Sequence, residues 1–260
     1  MEKLEHPLWI VAFVNALLGP LVKAMLAPLG FHFEGSEVIP PYLVMVMVIF
    51  IAITVMCLIM RSRLSVENPS KFQILLEDGV MAVVNLLEEW IGPEGRNYLP
   101  LVATLGLFIL LCNYAGLVPG LMSPTTSINV TLGCALTTWV YYHLQGIRRQ
   151  GPLGYLKHFM VPPGAHWSIA IIYFPIEMIS HASRVLSLSI RLFGNIFGEE
   201  LVILILGSII PFLVPLPMMF LGLITGGLQA FIFVLLSIIY LQGAVAVDHG
   251  HDHAAAEPRH

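Results

Sequence analysis

Apolar residues run from Tyr42 to Met60, nineteen positions without a charge, until Arg61-Ser62-Arg63 stop them. A continuous run of that length, with no alternation of apolar and polar positions, predicts a helix crossing a hydrocarbon layer about 30 Å thick. Similar stretches follow at about Tyr98 to Val118, Ile128 to Gln145, His166 to Leu206 and Met218 to Ala246. The fourth is longer than one perpendicular span, about 60 Å if wholly helical at about 1.5 Å per residue, so it must tilt strongly or break. Two other segments read differently. Residues 8 to 29 are apolar, but Pro20 and Lys23 interrupt them and Glu2 and Glu5 flank Lys3, which fits a retained amphipathic segment better than a cleaved signal peptide. From Pro69 to Trp90 apolar residues recur at helical spacing among Lys71, Glu77, Asp78, Glu88 and Glu89, predicting a helix at the membrane surface or entering it steeply, broken by Gly92-Pro93-Glu94-Gly95.

Composition agrees with a membrane solvent: 57% hydrophobic and 11% charged residues, with a mean hydropathy of +0.85. The 51 positions between Arg96 and Arg148, and the 47 between Glu200 and Asp248, carry no Asp, Glu, Lys or Arg, room for two spans each at about 20 residues apiece. Backbone in hydrocarbon must satisfy its own hydrogen bonds, so continuous runs fold as helices. The fold class is therefore an all-α polytopic membrane protein with about five membrane-spanning helices, including a long, strongly tilted helical hairpin, plus an amphipathic N-terminal segment. We read residues 1–260 as a single integral membrane domain, divided into an extracytoplasmic segment (1–41), three spans with cytoplasmic loops (42–164), the tilted hairpin (165–247) and a His-rich tail (248–260).

Charge sets the expected orientation. Arg61 and Arg63, and later Arg148, Arg149 and Lys157, mark cytoplasmic ends, whereas the Ser/Thr/Pro loop 123–127 has no basic residue and belongs outside. Five spans then give an outside N-terminus and a cytoplasmic C-terminus. The lack of an Arg-rich, acid-poor leader favours a bacterial plasma membrane. With a net charge of −4 and no basic stripe interleaved with aromatics, nucleic acid is not an expected partner. Cys57, Cys112 and Cys134 are widely spaced within spans and read as small hydrophobes. The tail Asp248-His249-Gly250-His251-Asp252-His253 has metal-binding composition but no scaffold to fix a geometry. No Walker A loop, dinucleotide fingerprint, HExxH or GxSxG occurs, and no cofactor is implied.

The candidate chemistry centres on Arg191, a permanent cation in an otherwise apolar stretch. A charge at bilayer depth costs from about 3 to more than about 10 kcal/mol, depending on the reference state, and is a functional candidate by default. Glu177, Ser180, Arg184, Ser187, Arg191 and Asn195 are spaced by 3, 4, 3, 4 and 4 residues, one helical face about 27 Å long. Lipid cannot cover such a face, so protein or water must. The serines at 180, 183 and 187 also suit hydrogen bonding between helices, with Arg184 snorkelling to the headgroups. No acid lies three or four residues from Arg191, so its partner must come from a facing helix or another chain. Glu199 and Glu200 are rotated by about 80° and 180° from Arg191 on a regular helix. A carboxyl held away from water there suits reversible protonation in a separate hydrated pocket, the alternative being exposure at the outer headgroups. Gly222 and Gly226 form a small-xxx-small pair that permits close helix approach, and Gln229 follows as a structural hydrogen bonder or a pore-lining amide.

These residues resemble those of the a subunits of rotary F-type ATP synthases. The likeness rests on Ser187-Leu188-Ser189-Ile190-Arg191-Leu192-Phe193-Gly194-Asn195, on Gly198-Glu199-Glu200-Leu201, on Leu228-Gln229-Ala230-Phe231-Ile232-Phe233 and on Asn129-Val130-Thr131-Leu132, over roughly the last 150 residues. The resemblance implies a proton-translocating stator against which a ring of c subunits turns, held with peripheral-stalk b subunits in the complex. Arg191 would meet each ring carboxylate in turn and block a direct leak between two offset half-channels. Glu200, Asn195 and Gln229, with Glu199 beside them, would line the outer half-channel, and Glu177, Ser180 and Ser187 the arginine-to-cytoplasm track. A histidine that some members carry opposite the Glu200 position is Gly222 here, so water or His181 would substitute, unless His181 is a structural residue bonded to a backbone carbonyl. The rival readings are a self-contained secondary transporter with its site near Arg191, which should show an internal repeat that this sequence lacks, and a purely structural assembly subunit, which would not require the arginine.

Overall fold

The computed structural model describes residues 9–26, 38–118, 120–160, 169–209 and 215–245. The His-rich tail, residues 1–8, the start of the long stretch at His166 and most of the proline loop after Ile209 fall outside these. Among the described residues eight α-helices follow one another: α1 Trp9–Leu26, α2 Pro41–Arg63, α3 Lys71–Ile91, α4 Leu99–Ala115, α5 Ile128–Gln150, α6 Pro152–Met160, α7 Ala170–Ile209 and α8 Pro215–Val245. No strand occurs among the described residues.

Local chemistry sets the helix ends. Pro41 opens α2 at a position where its missing N–H costs nothing. The Ser70 hydroxyl accepts the Gln73 N–H at 3.2 Å and caps α3. Gly92, at φ 98°, ends that helix as its N–H donates to the Glu88 carbonyl at 3.0 Å. The predicted break is thus real, but it takes the form of a short 3-10 helix, Pro93–Tyr98, leading directly into α4. α5 runs five residues beyond its expected end at Gln145 to Gln150 and stops at Gly151, φ 75°. Pro152 then starts α6. Proline at the first helical turn disturbs no internal hydrogen bond.

Among the described residues four segments are long and apolar enough to cross a membrane: α2, residues 93–115, α7 and α8. α5 has the length, 23 residues, but is more polar, and it buries Thr131, Thr138 and Tyr142 against its neighbours. Of the two alternatives for the long stretch, a break is not seen. α7 is one helix of 40 residues, about 60 Å long, twice the hydrocarbon thickness.

Two buried clusters hold the bundle. One joins α3, α4, α5 and α8 through Leu87, Val102, Tyr142, Val234, Ile238 and Leu241. The other joins α4, α5, α7 and α8 through Ile109, Ala135, Leu188, Leu192, Ala230 and Phe233. The α7–α8 hairpin is therefore gripped along one side by α4 and α5. Its other side stays bare: Ile179, Leu186, Ile190 and Leu204 of α7, and Ile224, Leu228 and Phe231 of α8, are all exposed. At the N-terminal end, buried Asn15 ties α1 to the start of α2. Its Oδ1 accepts the Val38 and Ile39 N–H groups at 3.0 and 2.9 Å, and its Nδ2 donates to the Ile39 carbonyl at 3.0 Å.

Candidate functional site

Arg191 lies on the bare side of α7, exposed, between exposed Ile190 and Ser187. Among the described residues it makes no ion pair and no hydrogen bond. Neighbouring Leu188 and Leu192 point the other way, at 3% and 0% exposure, into the core. The alternation arises because α4, α5 and α8 cover only one stripe of α7. Of the two sources of a partner open to Arg191, a facing helix within the described residues is not found.

One turn on, Asn195 turns towards α8, and its Nδ2 donates to Gln229 Oε1 at 3.0 Å. Gln229 is buried, at 4% exposure. The two amides expected in one half-channel are therefore in contact.

The two acids diverge as their rotation requires. Glu200 is half-buried and reaches the turn after α4, where its Oε1 accepts the Ser123 N–H at 3.2 Å. Glu199 reaches α8, where Thr225 donates to its Oε2 at 3.0 Å. Gly222 faces Glu199, not Glu200 as the resemblance suggested, and a Cβ there would collide with the Glu199 carboxylate. The missing side chain thus makes room for an acid from the preceding helix. Gly226, the other half of the small-residue pair, lets α4 approach: its carbonyl accepts Asn113 Nδ2 at 3.0 Å.

Behind Glu200 stands a polar cluster that sequence reasoning missed. Asn113 Oδ1 accepts the Thr125 hydroxyl at 2.8 Å, Thr125 and Ser123 hydroxyls lie 2.7 Å apart, and Ser123 Oγ donates to the Cys112 carbonyl at 2.8 Å. All three side chains are buried. The available signal was an asparagine inside an apolar span and a loop too rich in Ser and Thr to be only a connector.

The other end of the stripe is also built differently from expectation. His181 is buried, and side chains bond both ring nitrogens: Tyr142 Oη at 2.7 Å from Nδ1, and Glu177 Oε1 at 3.1 Å from Nε2. Arg184 is half-buried. Its guanidinium sits 5.3 Å from the centre of the Tyr240 ring on α8. His143 Nδ1 lies 2.6 Å from Tyr155 Oη on α6. Burial pushes the Tyr155 phenol up to about 12, so it keeps its proton. The stripe serines glue no helices among the described residues: Ser183 bonds the Ser180 carbonyl within its own helix at 2.7 Å, and Ser187 is exposed. The helix-to-helix bond comes instead from Ser189, off the stripe, whose hydroxyl is 3.1 Å from that of Thr131.

A bundle of long apolar helices with an uncompensated cation on its open face, and with acids and amides lodged between helices on either side of it, defines an integral membrane protein equipped for ion movement. The family model for the ATP synthase A chain matches residues 42–242. ATP synthase subunit a of Citrifermentans bemidjiense is 42% identical over 229 residues, covering 88% of this chain and 95% of the relative. The protein of the same name from Syntrophobacter fumaroxidans is 42% identical over 249 residues, 95% of this chain and all of the relative, and that of Koribacter versatilis is 38% identical over 252 residues, 96% and 100%. The chain belongs to the ATP synthase A chain family, a subunit of the membrane sector of that machine.

Proposed function

We propose that this chain is the proton-translocating stator of a rotary ATP synthase, and that Arg191 faces the carboxylates of a turning c ring. The observation that carries this is the arginine itself: exposed on an apolar helix face, without a partner in the described residues. A bare guanidinium in hydrocarbon is untenable, so a second chain must bring the compensating charge, and a succession of carboxylates does so without ever pairing permanently. A fixed cation also repels protons, which separates two half-channels that would otherwise short-circuit.

Glu200, Glu199, Asn195 and Gln229 form the outer half-channel in this reading, supported by their lodging between α7, α8 and the turn after α4. Glu177, Ser180, Ser187 and His181 form the cytoplasmic one, supported by the 3.1 Å contact of His181 with Glu177 and by the exposure of Ser187 beside Arg191. Residues 1–260 act as one integral domain, with α5 as the fifth span and α7 tilted to fit its length. The N-terminus lies outside and the C-terminus in the cytoplasm, in a bacterial inner membrane, with b subunits of the peripheral stalk against the remaining faces. One charge crossing 100 mV releases only about 2.3 kcal/mol, so a rotor that sums several crossings is what such a stator serves.

The test is disulfide crosslinking to a c subunit carrying a cysteine near its carboxylate. Cysteine at exposed Ile190 is expected to crosslink and to stop ATP-driven proton pumping until reductant is added, while cysteine at buried Leu192 is expected not to. Equal crosslinking at both positions, or at neither in well-inserted protein, would overturn the assignment.

A further inference from the structure

Tyr142 belongs to no motif and has no role in the proposed half-channels, yet it is among the largest fully buried side chains, and its hydroxyl ends a chain of three groups. Tyr142 Oη, on α5, is 2.7 Å from His181 Nδ1, and His181 Nε2 is 3.1 Å from Glu177 Oε1, both on α7. The histidine is 8% exposed, whereas the Glu177 side chain keeps 22% exposure, so the chain runs from the core outwards to the open stripe.

We propose that Tyr142 is a positioning residue of the cytoplasmic half-channel, acting through His181 to hold the Glu177 carboxyl in place in both of its protonation states. The proposal rests on the reading of Glu177 as a half-channel group. An ionised carboxylate only accepts, so it requires the Nε2–H tautomer, which leaves Nδ1 to accept the tyrosine O–H. A protonated carboxyl donates to Nε2, which requires the Nδ1–H tautomer, and the same phenol oxygen then accepts that proton. A hydroxyl does both by rotating. No net charge is left buried in the core, and no buried nitrogen is left without a partner as Glu177 gains or loses its proton. Phenylalanine at 142 fills the same space but takes the hydroxyl away from Nδ1 in both states.

The groups that face this chain are its own α7 neighbours Arg184 and Tyr173, His143 of α5 at 4.9 Å ring separation from His181, Tyr155 of α6 behind His143, and Tyr240 of α8 at 6.2 Å from the Tyr142 ring. Tyr173 also hydrogen-bonds the Glu177 carboxylate, so the imidazole is one of two groups that hold it.

The experiment uses the assembled synthase in inverted vesicles, with ATP-driven proton pumping measured per assembled complex. Tyr142→Phe is expected to lower turnover about fivefold, the worth of one buried hydrogen bond. His181→Gln is expected to lower it at least as far, and the double variant to be no worse than His181→Gln alone, because Tyr142 acts only through the imidazole. Selective ¹⁵N-histidine spectra should show His181 changing its tautomer balance in Tyr142→Phe. Independent, multiplying losses from the two substitutions, or unchanged tautomers, would overturn the proposal and leave Tyr142 as packing. Glu177→Gln tests the reading beneath it: unchanged pumping there would remove Glu177 from the half-channel, whereas impaired Glu177→Gln with unimpaired Tyr142→Phe would reject the positioning role alone.

Discussion

Arg191 and Glu200 share one helix, half an ideal rotation apart, and their surroundings are opposite. Glu200 sits against the turn after α4, half-buried, bonded to the Ser123 N–H and backed by the buried Ser123, Thr125 and Asn113 side chains. Arg191 stands on the bare side with open space and exposed apolar neighbours. A polar group that its own chain has partnered is held for a local task, and one left unpartnered at bilayer depth is held for another molecule. Glycine shows the same contrast: a Cβ on Gly222 would strike the Glu199 carboxylate, while one on Gly194, beside Arg191, would meet nothing within 4 Å.

The severest test of this contrast is Arg191→Ala. Since no contact within the described residues is lost, insertion and subunit abundance should match wild type on immunoblots. Gradient-driven ATP synthesis should fall by more than about a hundredfold, the scale expected when a site loses its only fixed charge. Retained synthesis would end the stator assignment. Next, Glu200→Gln keeps an acceptor for the Ser123 N–H but cannot carry a proton, and should lower synthesis about tenfold or more, within the range of a lost acid–base group. Wild-type rates would mean that the pocket is structural.

A smaller effect should separate the two faces by shape. Gly194→Leu is tolerable to this chain alone, so normal insertion with turnover reduced about threefold would reveal a surface in close contact with a partner; Gly133→Leu, equally open on α5, serves as the control. Turnover unchanged in both would place the partner elsewhere. Least of all for function, Asn15→Ala removes the clamp between α1 and the start of α2. It should expose that junction to protease, with a local loss of about 2 kcal/mol, and leave synthesis intact.

Much of the fold was open to inspection before any coordinates. Nineteen uncharged residues from Tyr42 could only be a span, and Gly92 marked the end of α3 by its backbone preference. The stripe through Arg191 followed from 3.6 residues per turn, as did the divergence of Glu199 from Glu200. The partner of Gly222 was assigned to the wrong acid because adjacent residues on a helix point about 100° apart, and only the placement of α8 says which of two acids it meets.

The sequence alone determined that this chain lives in a membrane, that it is helical, and that one cation within it needs an explanation, because each follows from transfer energies and periodicity that act along the chain. Only the tertiary structure decided which face of α7 is covered, that Glu200 rests on the turn after α4, and that Tyr142 reaches His181 across two helices. Those facts depend on the rotation of each helix about its axis. That rotation is set by side chains far apart in sequence competing to fill one core, and no local pattern records the outcome.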